Sequence, residues 1–417
     1  MVQANQDTKN TSKITVFLCF VIAVIEGVDL QAAGIAASGL KQYFSLSPEQ
    51  LGVFFSAGIF GLLPGTLFGG RYADKVGRKK VLIWSVAIFA VFTLMTVWVN
   101  SFYSLLAVRF LAGVGMGAAL PNLITLASEA TSAENRGRAV GLMYCGLPVG
   151  ALILSFWAAY DASGDWKTIF YLGGILPLLV IPLMIYALPE SKEFIQSMKS
   201  KVDTQRPEGG FKVIFNAQYL GRTMLLWVSY FFTLMVVYIM LSWLPSLFME
   251  LGFSRQQGSM AQVFFMIGAF FGTIVLGILI DRWNKVVVIG IMYLGILAGL
   301  LSLNAATSLN TIYMAAALTG TFTIGGQGVL YAYGSFVYPT HLRGTGVGAA
   351  SAVGRVGAML GPAIAGVIIA SGAGASGVFT AAIPGIVLSA VIMMWLSRKL
   401  EQPQTQASVT NPVTSSS

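Results

Sequence analysis

The sequence predicts an all-α polytopic membrane protein whose twelve transmembrane helices form two pseudo-symmetric six-helix bundles. Three observations lead to this fold class. Hydrophobic residues make up 56% of the chain and charged residues only 10%. Apolar runs of about twenty residues, each long enough to cross about 30 Å of hydrocarbon as a helix, recur along the whole chain. The chain also repeats itself once.

The apolar runs give the predicted helices in order. We place the twelve spans at residues 14–37, 51–70, 81–99, 103–127, 139–160, 167–188, 222–247, 258–280, 286–306, 311–335, 346–370 and 375–396. An even number of spans puts both chain termini on the same side of the membrane.

The basic residues predict which side that is. With the termini inside, the inner loops and tails hold 20 of the 25 Lys and Arg residues, the outer loops hold three, and two lie within spans. Because basic loops are retained in the cytoplasm, both termini are expected there. The net charge of +9 is then a topology signal, and no nucleic-acid partner is needed to explain it.

An internal repeat with an offset of 207 positions relates the two bundles. The matching pairs are Gly70 and Gly277, Asp74 and Asp281, Arg78 and Lys285, Gly113 and Gly320, Arg136 and Arg343, Gly137 and Gly344, and Gly141 and Gly348. The predicted organisation is a cytoplasmic tail at 1–13, one bundle at 14–188, a polar cytoplasmic linker at 189–221, a second bundle at 222–398, and a disordered cytoplasmic tail at 399–417.

Four charged residues interrupt the apolar spans: Glu26 and Asp29 in the first, Arg109 in the fourth and Arg355 in the eleventh. Charge at that depth is costly and usually marks the route of an ion or a polar substrate. These residues therefore indicate a transporter. A membrane sensor or scaffold that does not transport would have no need of a matched set of buried acids and arginines.

Enzymatic function finds little support in the sequence. A single histidine allows neither a HExxH zinc site nor a histidine-based relay, and there is no GxxxxGK[ST] phosphate loop for an ATP-driven pump. We therefore expect no catalytic residue, no metal and no cofactor, with transport driven by an ion gradient or by substrate flow. One chain supplies both bundles, so a monomer is expected to suffice.

Two motifs resemble a known family. The loop 70–80 resembles the signature loop of the major facilitator superfamily, and 277–285 resembles its second copy, with Asn284 in place of a glycine. The stretch 109–117 is similar to the fourth-helix signature of the superfamily's proton-coupled members. The resemblance implies the major facilitator fold, with a substrate site near the membrane midplane between the two halves.

A narrower resemblance covers nearly the whole chain. Residues 26–29 resemble the acidic first-helix motif of the aromatic acid:H+ symporter family, in which the first acid is more often Asp, and 339–357 resemble the stretch into its eleventh helix. The runs that resemble the 3-(3-hydroxyphenyl)propionate and phenylpropanoid acid branch are 26–37, 55–65, 113–130, 141–151 and 325–333. The resemblance implies proton-coupled uptake of a small aromatic carboxylate, for aromatic compound catabolism, across the bacterial inner membrane.

Two alternatives stay open. One is a symporter of benzoate-type acids or muconate. The other is a proton-coupled drug efflux antiporter, against which residues 146–150 of the fifth helix lack the adjacent Gly-Pro and paired glycines typical of antiporters.

The charges suggest a coupling hypothesis. Glu26 and Asp29 are three residues apart, so both can point into the bundle and serve as proton-coupling groups. An arginine can hold a carboxylate with two hydrogen bonds and stays charged, so we expect Arg355 to bind the substrate carboxylate. Arg109 either helps or holds an acid of the first helix. Protonation of the acid would free the arginine for the anion. Two other interpretations remain open, in which Arg109 is a structural tie and Glu26 is a hydrogen-bond donor.

The remaining candidates serve the cavity and the gate. Residues that we expect to line the cavity, as aromatic walls or neutral hydrogen-bonding groups, are Gln31, Asn122, Tyr144, Tyr230, Tyr238, Trp243, Gln327 and Tyr331. Charged residues near the inner helix ends are expected to form an inner gate: Asp74, Arg78, Arg136, Asp281 and Arg343. Glu129, at the inner end of the fourth helix, is expected to pair with a loop arginine.

Overall fold

The computed structural model describes residues 2–161, 163–191, 194, 195, 198 and 213–401, with side chains from residue 12 onward except at 133, 340, 341, 400 and 401. Within these residues the regular secondary structure is helical. The α-helices, numbered in chain order, are α1 (Val2–Tyr43), α2 (Pro48–Val76), α3 (Arg78–Met95), α4 (Phe102–Glu129), α5 (Arg136–Tyr144), α6 (Gly146–Tyr160), α7 (Trp166–Ala187), α8 (Ala217–Glu250), α9 (Arg255–Arg282), α10 (Lys285–Ala305), α11 (Leu309–Val337), α12 (Thr340–Ile368) and α13 (Gly374–Glu401).

Each predicted span falls on one of these helices, except that α5 and α6 together make the fifth. They follow one another with a break at Cys145, close to Pro148, whose missing N–H weakens a continuous helix. Within the described residues, nine stretches are long and apolar enough to cross a membrane, and one of them, Leu342–Lys399, covers most of both α12 and α13. These two helices join at a connection where Gly372 has φ 86°. The multi-pass, all-helical prediction is confirmed, and the count of twelve spans stays a prediction.

The internal repeat is visible in how helices begin and pack. Ser47 and Ser101 cap α2 and α4 with reciprocal side-chain and backbone hydrogen bonds, and Ser254 and Ser308, each 207 positions later, cap α9 and α11 in the same way. These caps satisfy backbone donors where the helices start. The two halves of the sequence therefore encode the same helix starts.

The glycines of the repeat make equivalent contacts. Gly113 of α4 packs directly on the carbonyl oxygen of Gly58 in α2, and Gly320 of α11 packs on that of Phe265 in α9. Gly58 and Phe265 are again 207 positions apart. A side chain at either glycine would collide with backbone, so close helix approach at this point requires glycine in both halves.

The helix bundle has two distinguishable ends. We call the end where α2 meets α3, where α9 meets α10 and where α12 begins the basic end, because it carries Arg78, Arg136, Arg282 and Arg343. The other end, where α1 meets α2 and α6 meets α7, is the opposite end. The predicted segment boundaries stay predictions: α1 already begins at Val2, α8 begins inside the predicted linker, and residues 402–417 lie outside the described part.

Candidate substrate and proton site

A chamber between the two halves holds two of the four charged residues of the spans. Its first part, the charged lobe, has a volume of about 340 Å³ and is lined by Glu26 of α1 and Arg355 of α12, with Thr66 and Ser351 as further polar residues. Glu26 is 3% exposed, and its Oε1 has no hydrogen-bond partner in the part of the chain that the structure describes. The charged lobe thus brings an acid from one half and an arginine from the other to one cavity.

The second part, the apolar lobe, has a volume of about 480 Å³. Met266, Phe270 and Ile324 supply apolar walls, and Gln31 and Thr273 supply polar groups. The residues that line both lobes, and so join them, are Leu30, Tyr144, Leu147, Tyr238, Gln327 and Tyr331. An elongated molecule with one anionic end and one aromatic end matches this division.

The other two charged residues form a separate buried pair. Arg109 Nη1 donates to Asp29 Oδ2 at 3.0 Å, and Arg109 Nη2 donates to the Asp29 backbone carbonyl at 3.1 Å. Thr93 of α3 donates to Asp29 Oδ1 at 2.8 Å. The side chain of Asp29 is 0% exposed and that of Arg109 is 4% exposed. Neither residue lines the charged or the apolar lobe, so in this conformation Arg109 holds an acid of α1.

Five of the eight predicted cavity residues line the chamber, namely Gln31, Tyr144, Tyr238, Gln327 and Tyr331. The placement of the other three differs from the prediction because each side chain finds a backbone carbonyl instead. Tyr230 Oη donates to Leu330 O at 2.7 Å, Trp243 Nε1 to Pro362 O at 3.0 Å and Asn122 Nδ2 to Ala118 O at 2.8 Å. These bonds tie helices together or cap a local turn, away from both lobes.

The predicted inner-gate residues lie at the basic end. Arg78 contacts Glu129 at 2.6 Å and Asp74 at 3.9 Å, so the expected pairing of Glu129 with a loop arginine is confirmed. Arg136, Asp281 and Arg343 have exposed side chains. The chamber residue Tyr144 is 40% exposed and lies close to this end. The chamber therefore opens toward the basic end, and the gate role of these residues stays a prediction.

The opposite end is closed by contacts between the halves. Arg255 Nη2 at the start of α9 donates to both the backbone carbonyl and Oδ2 of Asp161, after α6, each at 3.0 Å. Ser56 Oγ donates to Met359 O at 2.6 Å, and Gln262 Nε2 donates to Gln31 Oε1 at 3.1 Å. Burial opposes ionisation of Asp161, but hydrogen bonds from Ser163 and Arg255 outweigh it and lower the pKa of Asp161.

Sequence reasoning missed several of these contact residues. Thr93 and Gln262 are neutral polar residues in apolar helices, and nothing in the sequence distinguishes them from other such residues. Asp161 and Arg255 carried a usable signal, since charged residues are sparse in the outer loops. Their sequence separation gives no indication that they meet.

Two halves with equivalent packing around a chamber that holds charge at membrane depth, open at one end and closed at the other, define a secondary membrane transporter. The chain belongs to the Major Facilitator Superfamily, whose model matches residues 19–362 and 226–415. It is 45% identical over 396 residues to the 3-(3-hydroxy-phenyl)propionate transporter of Escherichia coli (strain K12), covering 94% of this chain and 96% of that protein. It is 35% identical to the 4-hydroxybenzoate transporter PcaK of Pseudomonas putida, covering 83% and 84%.

Solved structures agree on the fold. The chain superimposes on the D-xylose-proton symporter with a TM-score of 0.76 at 17% identity, covering 93% of this chain and 97% of that one. The predicted fold class and superfamily are confirmed. The chain is a multi-pass membrane transporter and not an enzyme.

Proposed function

We propose that this chain is a proton-coupled symporter that takes up an aromatic carboxylate of the hydroxyphenylpropionate or hydroxycinnamate type by alternating access. The observation that carries the proposal is the two-lobed chamber, with Arg355 and Glu26 in one lobe and aromatic and apolar walls in the other. The similarity to a 3-(3-hydroxy-phenyl)propionate transporter over nearly the whole chain supports the substrate class.

The substrate carboxylate binds Arg355. A guanidinium holds a carboxylate with two parallel hydrogen bonds, and Arg355 is half-buried in the charged lobe. Tyr144 and Tyr238 border both lobes and lie within electrostatic range of Arg355, so their hydroxyls are available to the same anion. The ring occupies the apolar lobe, where Gln31 and Thr273 can bond ring hydroxyls.

Protons enter the cycle through the acids of α1. Glu26 shares the charged lobe with Arg355, so an ionised Glu26 competes with the substrate for the arginine, and protonation of Glu26 frees it. Asp29 and Arg109 form a second acid and arginine pair that is closed off in this conformation. Coupling is competition between Glu26 and the substrate for Arg355. Arg109 holds Asp29 until the transporter changes conformation.

The basic end faces the cytoplasm of a bacterial cell and the protein lies in the inner membrane. The excess of Lys and Arg at this end supports the orientation. The chamber then opens inward here. The inner-gate residues Asp74, Arg78, Arg136, Asp281 and Arg343 would close it in the outward state, and a monomer contains every part that this cycle needs.

Uptake by purified protein in liposomes tests the proposal. A panel of benzoates, phenylacetates, phenylpropionates, cinnamates and muconate is offered with an imposed proton gradient, and hydroxyphenylpropionates or hydroxycinnamates are expected to accumulate most. Preference for benzoates or muconate would favour that alternative, and proton-driven export would favour an antiporter.

Arg355→Gln is the matched variant for the panel. Loss of a charge-assisted bidentate contact is expected to weaken substrate binding roughly ten- to a hundredfold. Arg398→Gln, which removes an exposed arginine near the end of α13, is the control and should bind normally. Unchanged binding by Arg355→Gln would remove Arg355 from the site.

A further inference from the structure

A small third cavity lies beside the buried Asp29–Arg109 pair. It has a volume of about 30 Å³ and is lined by Arg109 of α4, Phe55 and Gly58 of α2, and Tyr238 and Ser242 of α8. It shares wall residues with the charged lobe, among them Leu30, Leu62, Met116 and Tyr238. Only a layer of side chains therefore separates it from the chamber.

One donor of Arg109 is left over at this cavity. Nη1 and Nη2 bond to Asp29, but Nε has no hydrogen-bond partner within the described residues although the side chain is 4% exposed. A buried donor of a charged group that lacks a partner is costly, because it has lost its hydrogen bond to water and gained none in return. Such an orphan donor beside a cavity indicates a ligand that accepts a hydrogen bond.

The size and the lining of the cavity fit water. A site needs roughly 10–15 Å³ and two to four polar partners to hold one water molecule, so this cavity has room for one or two. Arg109 Nε–H supplies an unpartnered donor, and Ser242 of α8 supplies a hydroxyl. The volume excludes a carboxylic acid with an aromatic ring.

We infer that this cavity is a hydration site whose water bridges Arg109 Nε of the first half and Ser242 of the second half, and so links the two halves beside the buried ion pair. The wall formed by Leu30, Met116 and Tyr238 separates this water from the chamber in the present conformation, and movement of these side chains connects the two.

Gly58 offers a way to remove the water. A Cβ at this position would lie 3.1 Å from Arg109 Nε, so Gly58→Ala places a methyl group between the donor and the cavity. Gly290→Ala is the matched control, because a Cβ there meets nothing within 4 Å. Ser242→Ala removes a polar partner and leaves the helix packing in place.

Hydroxyl-radical footprinting of the purified protein, without substrate or gradient, detects water next to buried rings. Phe55 is 3% exposed and lines this cavity but neither lobe, whereas Phe89 is 0% exposed and lines none of the three. We expect several-fold more labelling at Phe55 than at Phe89, lost in Gly58→Ala, reduced in Ser242→Ala and retained in Gly290→Ala. Equal labelling of the two rings in the wild type would show a dry cavity and overturn the inference, leaving the proposed function intact.

Discussion

The two acids of α1 lie three residues apart but in opposite surroundings. Asp29 is fully buried, and both of its carboxylate oxygens accept hydrogen bonds, from Thr93 and Arg109. Glu26 is almost as deeply buried, but its Oε1 lacks a partner within the described residues and its side chain lines the charged lobe with Arg355. One acid is satisfied and closed off, and the other is unsatisfied and reachable.

Burial alone therefore does not identify the proton-exchanging group. A group that exchanges a proton with the chamber must be reachable from it and must compete for something the substrate needs. In the present conformation Glu26 lines the same lobe as Arg355, so we propose that it is the group that meets both conditions, whereas Asp29 does not line that lobe. Substitutions in each region should show whether the two acids have the separate roles that their geometry indicates.

The largest effect is expected on stability, from breaking the closed region. Arg109→Leu leaves Asp29 buried without its cationic partner, and removal of one member of a buried ion pair typically destabilises by about 3–5 kcal/mol. We expect a marked fall in the thermal unfolding midpoint of the detergent-solubilised protein. Arg355→Leu is the comparison, because Arg355 is half-buried and faces the chamber.

The double variant Asp29→Asn, Arg109→Gln sharpens this test. It removes both charges together, so it should recover most of the stability that Arg109→Leu loses. An Arg109→Leu protein as stable as the wild type would mean that the Asp29–Arg109 contact contributes nothing to the fold.

The next effect concerns the pH dependence of substrate binding. In the wild type, binding is expected to weaken as pH rises, because ionised Glu26 competes with the substrate for Arg355. Glu26→Gln cannot ionise, so its affinity should stay high and flat with pH, and proton-driven accumulation should be lost while exchange continues. Equilibrium binding across a pH series, together with liposome uptake, measures both.

Asp29→Asn is the control for this prediction and also tests the second acid. If Glu26 is the competing group, Asp29→Asn keeps the pH dependence of binding, and a flat profile would transfer that role to Asp29. Accumulation by Asp29→Asn in response to an imposed proton gradient would contradict any part for Asp29 in coupling.

Much of the fold could be predicted from sequence, because the membrane restricts structure to long helices with apolar surfaces. The 207-residue repeat also predicted which helices are equivalent, and the Gly113 and Gly320 contacts agree with it. Partner choice could not be predicted. Helical spacing places Glu26 and Asp29 on one broad face, but the crossing of α1 with α3 and α4 decides which of them meets Arg109.

Aromatic residues show the same limit. Tyr230 and Tyr331 both lie in apolar helices, and their rings are in edge contact 5.6 Å apart, yet only Tyr331 lines the chamber. Tyr230 turns its hydroxyl to the carbonyl of Leu330 instead. Which ring reaches a cavity depends on whether a carbonyl on a neighbouring helix is within reach, and residue type does not encode that.

The smallest effect is expected at the opposite end, where Asp161 and Arg255 join the two halves. The side chains are 11% and 21% exposed, so the ion pair should stabilise the state that opens to the basic end by about 1 kcal/mol or less. That free energy is up to about a fivefold change in the ratio of this state to the state that opens to the opposite end. Asp161→Asn is therefore expected to shift the population modestly away from the state that opens to the basic end.

Cys145 reports on that population, because it lines the apolar lobe, whereas Cys19 is buried. A membrane-impermeant maleimide added from the basic side should label Cys145 more slowly in Asp161→Asn than in the wild type. Asp165→Asn is the control, since Asp165 caps α7 in the same loop and asparagine caps equally well.

The same pair predicts a pH effect. The pKa of Asp161 is lowered in the folded protein. The free energy with which Asp161 stabilises the closed opposite end is therefore complete above about pH 4, and it is lost as pH falls through the lowered pKa. Labelling slows as pH falls in both proteins, because maleimide reacts with the thiolate, but the ratio of the Cys145 labelling rates in wild type and Asp161→Asn should stay constant between pH 5 and pH 7. A ratio that approaches one toward pH 5 would show that the pKa of Asp161 is not lowered.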